Sequence, residues 1–461
     1  MLKLSITAMI MDIKNFLLSK KKEGLVDSLS EQLNYLKKSR FIRDVTIVAG
    51  GTAAAQAISI AFSPLITRIY GPESFGILGV FVAMLAMITP IASLAYTYAI
   101  VLPASDHEAR ALVRLALFIA ACIAIILAVI MGVFHHQIAL FFGFEASAYF
   151  LLLIPALVLF SAAEKSLGQW LIRKKKYRSM SGITVTQTAA INTTKVGVGY
   201  FLATAPVLLV INALGHVFLT FMLWLSARPT FLQRNFQGMV SEAEQNVSIK
   251  TVAATYRDFP MYRSPQIILN ATSINIPTLL LAALLGPVPA GFYTLSRRVV
   301  SLPSSLIAKS VGTVFLPRIA EAAKRGEPLR PYIIKATWGL ALVGLLPFGV
   351  LFLFGPWLFG FVFGADWVTA GEYSRWLALW LYFAFVNHPS VYAIPLFNMQ
   401  GQFLIYEIIS IVVRCGALIM GALLLASDLV GIALFSITGA AMNLFLIIWV
   451  ISRSEDSLRK L

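Results

Sequence analysis

The residues best able to do chemistry in this chain are cations set inside apolar runs. Between Phe292 and Pro317 the sequence reads FYTLSRRVVSLPSSLIAKSVGTVFLP. As one helix it would extend about 38 Å at ~1.5 Å per residue, enough to cross a bilayer. Arg297, Arg298 and Lys309 share one face with Ser301, Ser304, Ser305 and Gly312, within roughly 140° of arc. Apolar residues such as Val299, Val300 and Leu306 take the rest. Further basic residues sit inside other apolar runs at Lys165, Lys195 and Arg414. A Lys or Arg at the bilayer centre costs about 2.5–3.5 kcal/mol, so six facing lipid would cost roughly 15–20 kcal/mol. Snorkelling relieves Lys165 and Lys309, nearer their helix ends, more than Lys195 and Arg414. Some of the six must therefore face a hydrated cavity or an anion. The chemistry expected is anion binding, because a guanidinium offers phosphate two parallel hydrogen bonds and an ammonium a mobile point charge.

Polar stripes accompany these cations. Ser181, Thr184, Thr188, Asn192, Lys195 and Gly199 fall within about 80° of one helix face. Arg263, Gln266, Asn270, Ser273 and Pro277 cluster likewise on another, and Thr52, Gln56, Ser59, Ser63 and Thr67 on a third. The expected cavity lining is thus Gln56, Asn192, Asn270, Ser301 and Ser305, although Ser/Thr stripes also serve as glue between helices. Acids are scarce at depth. Glu164 is the clearest; it either pairs with a cation from another helix or binds a coupling proton or sodium ion. No nucleophile–base set, zinc spacing or Gly-rich phosphate loop occurs, and the histidines form no i,i+4 pair. The chain reads as a non-enzyme needing no metal or cofactor, and nothing in it suggests nucleic-acid binding. Cys122 and Cys415 lie in apolar runs without metal spacing and read as small core residues.

The elements that position these residues are transmembrane helices. The chain is 59% hydrophobic and 13% charged, with net charge +16; a soluble domain carries about 25% charged residues. Its mean hydropathy is +0.81. About twelve spans are expected, roughly 44–67, 76–102, 112–134, 149–171, 181–201, 206–227, 259–285, 290–316, 332–354, 373–396, 403–426 and 430–452. This predicts an all-α polytopic protein with two pseudo-symmetric six-helix lobes, 41–227 and 258–452, joined by a linker at 228–257. Residues 1–40 form a basic tail in which Leu25, Leu29, Leu33 and Leu36 suggest a surface-lying helix, and 453–461 form a second tail. The amino terminus lacks the pattern of a cleavable signal peptide. Lys and Arg concentrate in alternate connections, notably Arg173 to Arg178, and Arg68 is the main exception. By the positive-inside rule both termini are cytoplasmic.

An internal repeat supports the two-lobe reading. Gly71-Pro72-Glu73-Ser74-Phe75-Gly76 follows the first span and Gly286-Pro287-Val288-Pro289-Ala290-Gly291 the seventh. Phe142-Gly143-Phe144-Glu145 follows the third span and Phe363-Gly364-Ala365-Asp366 the ninth. The two offsets, about 215 and 221 residues, agree closely enough to suggest duplication.

With these residues in place, the chain resembles the polysaccharide-type flippases of the multidrug/oligosaccharidyl-lipid/polysaccharide exporter superfamily. The sharpest match is Pro64 to Gly76, similar to the family's Arg-x-x-Gly-Pro-Glu-x-Phe-Gly turn, here Arg68, Gly71, Pro72, Glu73, Phe75 and Gly76. The basic loop Arg173 to Arg178 is also similar. The resemblance implies a V-shaped transporter of the bacterial inner (plasma) membrane with a central cationic cavity. It would move a polyprenyl-pyrophosphate-linked oligosaccharide, the repeat unit of a surface polysaccharide such as lipopolysaccharide, to the outer leaflet by alternating access. Membrane lipids, a coupling ion and polysaccharide-assembly proteins are the implied partners. The second turn departs from the motif, with Val288-Pro289-Ala290 in place of Glu-x-Phe. A multidrug or cation antiporter of the same superfamily is the nearest alternative, but would want mid-membrane carboxylates. A polysaccharide polymerase or ligase would want a large external catalytic loop.

Overall fold

The computed structural model describes residues 40–231 and 248–456, with side chains described for 46–231, 248–305 and 315–454. The expected tails at 1–40 and 453–461 and the centre of the 228–257 linker fall largely outside these residues. Among the described residues there is no strand. The helices are α1 Arg40–Ala92, α2 Tyr96–Ala99, α3 Asp106–Phe141, α4 Ile154–Arg173, α5 Tyr177–Gly199, α6 Ala205–Phe231, α7 Ile249–Thr255 and α8 Ser264–Leu285. They continue as α9 Pro287–Val300, α10 Leu302–Lys324, α11 Arg330–Phe363, α12 Val368–Val386, α13 His388–Ala393, α14 Gln400–Leu424 and α15 Asp428–Asp456.

Nine stretches among the described residues are long and apolar enough to cross a membrane. One of them, Thr46–Ala92, holds two spans, because the helix breaks at Gly71 (φ 68°, ψ 170°). The fifth span, α5, is helical but too polar to stand out by hydropathy, and the eighth is divided between α9 and α10 at Ser301. They are the spans that carry Lys195, Arg297 and Arg298. The twelve expected spans are accounted for in this way.

Local chemistry sets the breaks. Gly71, Gly143, Gly286 and Gly364 have φ of 68°, 72°, 86° and 113°. Backbone at positive φ with ψ near 180° is accessible essentially to glycine alone, and Gly71, Gly286 and Gly364 all adopt it. The repeat read from sequence therefore marks four turns built on positive-φ glycines. Helices α4, α8, α9, α10 and α11 start with proline in the first two positions, where its missing N–H leaves no bond unmade. One of these is Pro303: the eighth span stops at Ser301 and restarts at Leu302, a break consistent with the missing proline N–H. Ser105 caps α3 by accepting from the Glu108 N–H at 3.2 Å.

The four glycine turns gather at one end of the molecule. Gly143 faces Pro287, and Gly364 lies beside Arg68. The basic connections gather at the other. Arg173 donates to Asp106 (3.0 Å) and to the Ala104 carbonyl (3.2 Å), Lys174 also pairs with Asp106, and Lys176 reaches the Ser226 carbonyl (2.9 Å). Much of the basic loop thus ties the ends of three spans together.

The lobes meet mainly at the glycine-turn end. There a buried apolar cluster joins Ile66, Tyr70, Phe75 and Leu208 to Leu295, Phe359 and Trp367. On the seventh span Pro277, Thr278, Leu281 and Ala282 are buried near that end, while Pro265, Gln266 and Asn270 are exposed toward the basic end. The first span follows the same gradient, with Ile66, Thr67 and Tyr70 buried but only Ala55 among residues 46–62. Helix α10 packs on α11, α12 and α13 of its own lobe. The two lobes are clamped at one end and splayed at the other.

Candidate functional site

Directly beneath the clamped end lies a cavity of about 190 Å³. Its walls come from both lobes: Ser59, Ser63 and Ile66 of the first span, Phe75 and Leu78 of the second, Gln187, Thr188, Ile191, Asn192 and Lys195 of α5, Leu208 and Asn212 of α6, and Arg298 of α9. Ile66, Phe75 and Leu208 belong to the apolar cluster above and form the roof. Of the six intramembrane cations, the structure brings two together here, Lys195 from one lobe and Arg298 from the other.

Neither cation has an anionic partner among the described residues. Among the described residues no carboxylate lies within ion-pair distance of Lys195 or Arg298. Arg298 is exposed and Lys195 half-buried, both into the concave space. The surrounding amides add hydrogen-bonding capacity. Asn192 donates to the Thr188 carbonyl at 2.7 Å, which fixes its orientation on α5. Asn212 keeps a buried carbonyl oxygen without a donor; such a group costs about 1–3 kcal/mol unless a ligand or water supplies one. Tyr70 holds the wall in place by donating to the Lys195 carbonyl at 2.8 Å. A site with two free cations, hydroxyls and amides suits a phosphorylated head group carrying polar substituents.

The other expected site residues lie elsewhere. Arg297 donates to the Ile274 carbonyl of α8. Arg414 is buried with its guanidinium 4.9 Å from the Trp380 ring centroid and 5.4 Å from that of Phe435. It donates to the Ser410 carbonyl and the Ser273 hydroxyl, each at 3.1 Å. Those rings, the carbonyl and the hydroxyl hold the charge inside the carboxy-terminal lobe, away from the cavity. Lys165 is half-buried on α4 with no ion-pair partner among the described residues. Lys309 sits on α10, and its side chain falls outside the described set. Arg263 is exposed at the basic end, bonded to Gln266 at 2.6 Å and 5.9 Å from the Tyr98 ring.

Among the expected polar lining residues, Asn192 is in the cavity wall. Gln56 is half-buried about one turn below Ser59, and Asn270 is exposed on α8 toward the splayed end. Ser301 and Ser305 spend their hydroxyls on their own helix, on the Arg298 and Leu302 carbonyls. Gln187 and Asn212 were missed. Gln187 lies beside the polar stripe, one residue before Thr188 and about 60° outside its arc; Asn212 is a lone amide in an apolar run and gave no periodic signal.

Glu164 does pair with another helix. His216 Nδ1 lies 2.9 Å from its Oε1, linking α4 to α6. A neutral amide can keep that hydrogen bond, so Glu164→Gln should leave thermal unfolding in detergent within about 1 kcal/mol of the parent. Glu164→Leu, which strands His216, should cost about 1–3 kcal/mol. If Glu164 binds a coupling ion, Glu164→Gln should also flatten the pH dependence of transport; an unchanged profile removes it from that role.

A family model described as "Polysaccharide biosynthesis protein" matches residues 65–372, well over half of the chain. The chain belongs to that family. It is similar to the succinoglycan biosynthesis transport protein ExoT of Rhizobium meliloti (strain 1021), with 24% identity over 405 residues, 86% of this chain and 76% of the relative. Among solved structures it superposes on an inward-facing multidrug resistance transporter of the MATE family, MOP superfamily, with TM-score 0.71, 13% identity, and 88% and 96% of the two chains covered. It also superposes on the lipid II flippase MurJ in an inward closed conformation, with TM-score 0.69, 16% identity and 87% of each chain covered. This polysaccharide biosynthesis protein therefore has the fold of the multidrug/oligosaccharidyl-lipid/polysaccharide exporters and is a multi-pass membrane protein.

Proposed function

We propose that this protein is a flippase that carries a polyprenyl-pyrophosphate-linked oligosaccharide across the plasma membrane. The observation that carries the reading is the cavity shared by Lys195 and Arg298, one cation from each lobe and neither paired with a carboxylate among the described residues. A diphosphate spans two cations naturally, and each charge-assisted hydrogen bond contributes about 1.5–3 kcal/mol. A space of about 190 Å³ holds a head group but not a whole glycan, since sites for drug-sized ligands are about 300–1,000 Å³. The saccharide would extend into the splayed space toward Gln56, Asn270 and Arg263, and the lipid tail would stay in the bilayer.

Sidedness follows from charge. The basic end faces the cytoplasm and the glycine-turn end faces outward, with both termini cytoplasmic. The lobes at 41–227 and 258–452 then alternate access about their shared interface, joined by the cytoplasmic linker at 228–257. An inside-negative potential of 100 mV assists each outward-moving negative charge by about 2.3 kcal/mol. The ExoT relative is named for succinoglycan transport and MurJ for flipping lipid II; both names fit a lipid-linked saccharide as cargo here. A cation antiporter is disfavoured because the two charged side chains in the cavity are positive.

Reconstitution into vesicles with a panel of lipid-linked oligosaccharides tests the reading. Translocation of diphosphate-linked glycans is expected. Failure with every one of them, alongside export of organic cations, would replace the flippase with an antiporter.

A further inference from the structure

The duplicated Gly-Pro turns mark an internal repetition, yet they pack more closely than a turn requires. A Cβ on Gly76 would collide with the Pro287 carbonyl oxygen, and a Cβ on Gly291 with the Pro72 carbonyl oxygen. The last glycine of each GPxxxG segment is therefore seated on the proline carbonyl of the other, and the contact is reciprocal. Only glycine allows two backbones to approach this closely. One helical turn on, Gly79 meets the side chain of Thr294. The seats lie wholly between lobes, Gly76 in the first and Gly291 in the second.

Two further inter-lobe bonds surround the seats. Arg68 donates to the Phe361 carbonyl at 2.7 Å, and Trp367 donates to the Thr67 carbonyl at 3.1 Å. Phe75 packs edge-on against the Trp367 ring, with centroids 5.2 Å apart. Arg68, Pro72, Phe75 and Gly76 of the family turn thus each make a contact that exists only while the lobes are together at this end. Helix α9 joins the clamp to the site, for it carries Gly291 and, two turns later, Arg298. Lys195 belongs to the opposite lobe and is tied by its carbonyl to Tyr70, next to Gly71.

We propose that these reciprocal glycine seats, latched by Arg68, are the closed outer gate, and that opening it carries Arg298 away from Lys195 and so takes the anion site apart. Release is then built into opening, because a ligand held by both lobes loses one of its two cations when they part. By linkage, an anion bound between the two cations stabilises the closed gate by the same factor. The second half of this proposal rests on the anion site described above; the first half does not.

The test uses full-length protein with Cys122→Ser and Cys415→Ser and a reporter Ser63→Cys in the cavity, in oriented vesicles. A membrane-impermeant thiol reagent is applied to the glycine-turn face. The parent should label slowly from that face, and Gly76→Ala or Gly291→Ala should label at least ~10-fold faster. Gly349→Ala, where a Cβ meets nothing within 4 Å, should label like the parent. If an alanine variant fails to accumulate, Arg68→Ala, which removes only an exposed latch, should still raise labelling about threefold. Binding of inorganic pyrophosphate is measured on the same proteins, and Gly76→Ala should weaken it at least ~10-fold relative to Gly349→Ala. Labelling unchanged in both glycine variants and in Arg68→Ala would overturn the gate. Faster labelling with undiminished pyrophosphate binding would overturn its coupling to the site. Faster labelling with no pyrophosphate binding by the parent would leave the gate standing and remove the anion reading. Fast labelling of the parent from the glycine-turn face would mean that this end is not the closed one.

Discussion

Arg298→Glu should slow translocation at least ~100-fold while the protein remains in the membrane at its normal level. Arg298 faces the cavity without an ion-pair partner among the described residues, so the substitution breaks no described side-chain bond. What it changes is the field at the site: one of two cations becomes an anion facing an anionic substrate. Loss of a charge-assisted hydrogen bond costs about 1.5–3 kcal/mol, which is roughly 10- to 150-fold at 1.4 kcal/mol per decade. Arg298→Ala and Lys195→Ala should therefore each reduce transport by about 10- to 100-fold. Together they should cost less than the product, since both side chains serve one ligand. Arg263→Ala, at the exposed basic end, should stay within about threefold. The check is the initial rate in vesicles, normalised to reconstituted protein. A parental rate for Arg298→Glu would place the substrate somewhere other than this cavity.

The second large effect is expected at Trp367. The residue is 1% exposed, sits between Phe75 and Phe292 with ring centroids at 5.2 and 6.1 Å, and donates across the lobe interface. Truncating a buried aromatic typically costs about 3–5 kcal/mol, from lost contacts and the cavity left behind. Trp367→Ala should lower stability in detergent by that amount, measured by chemical unfolding. Trp367→Phe keeps most of the packing and loses one hydrogen bond, so about 1 kcal/mol is expected. Equal losses for the two substitutions would mean that the hydrogen bond, rather than ring packing, closes the interface.

Much of this was legible in the sequence because membrane insertion leaves strong signals. Apolar length marked most of the spans, and the polar face of the fifth and the arginines of the eighth pointed to the candidate site. Lys195 and Arg298 were legible as candidates because a cation in an apolar run must be accounted for energetically, and Asn192 because it shares the polar stripe of Lys195. Sorting those cations was beyond the sequence. Arg298 and Arg297 are neighbours, yet one faces the cavity and the other donates to the Ile274 carbonyl. Their helical offset of about 100° separates them, and nothing local states which direction faces the other lobe. Arg414 looked like part of the path for the same reason, but two aromatic rings distant in sequence hold it instead. The repeat was visible as spacing alone. That Gly76 and Gly291 each seat on the other's proline carbonyl depends on how the lobes dock, and a single chain of letters carries no record of docking.

The central claim is that a diphosphate-bearing head group sits between Lys195 and Arg298. The most direct measurement is the affinity of purified protein for a short-chain isoprenyl diphosphate saccharide, compared with Lys195→Gln/Arg298→Gln across a salt titration. Binding at least ~100-fold weaker is expected in the double variant, with most of the salt dependence gone. Equal affinities and equal salt slopes in the two proteins would contradict it.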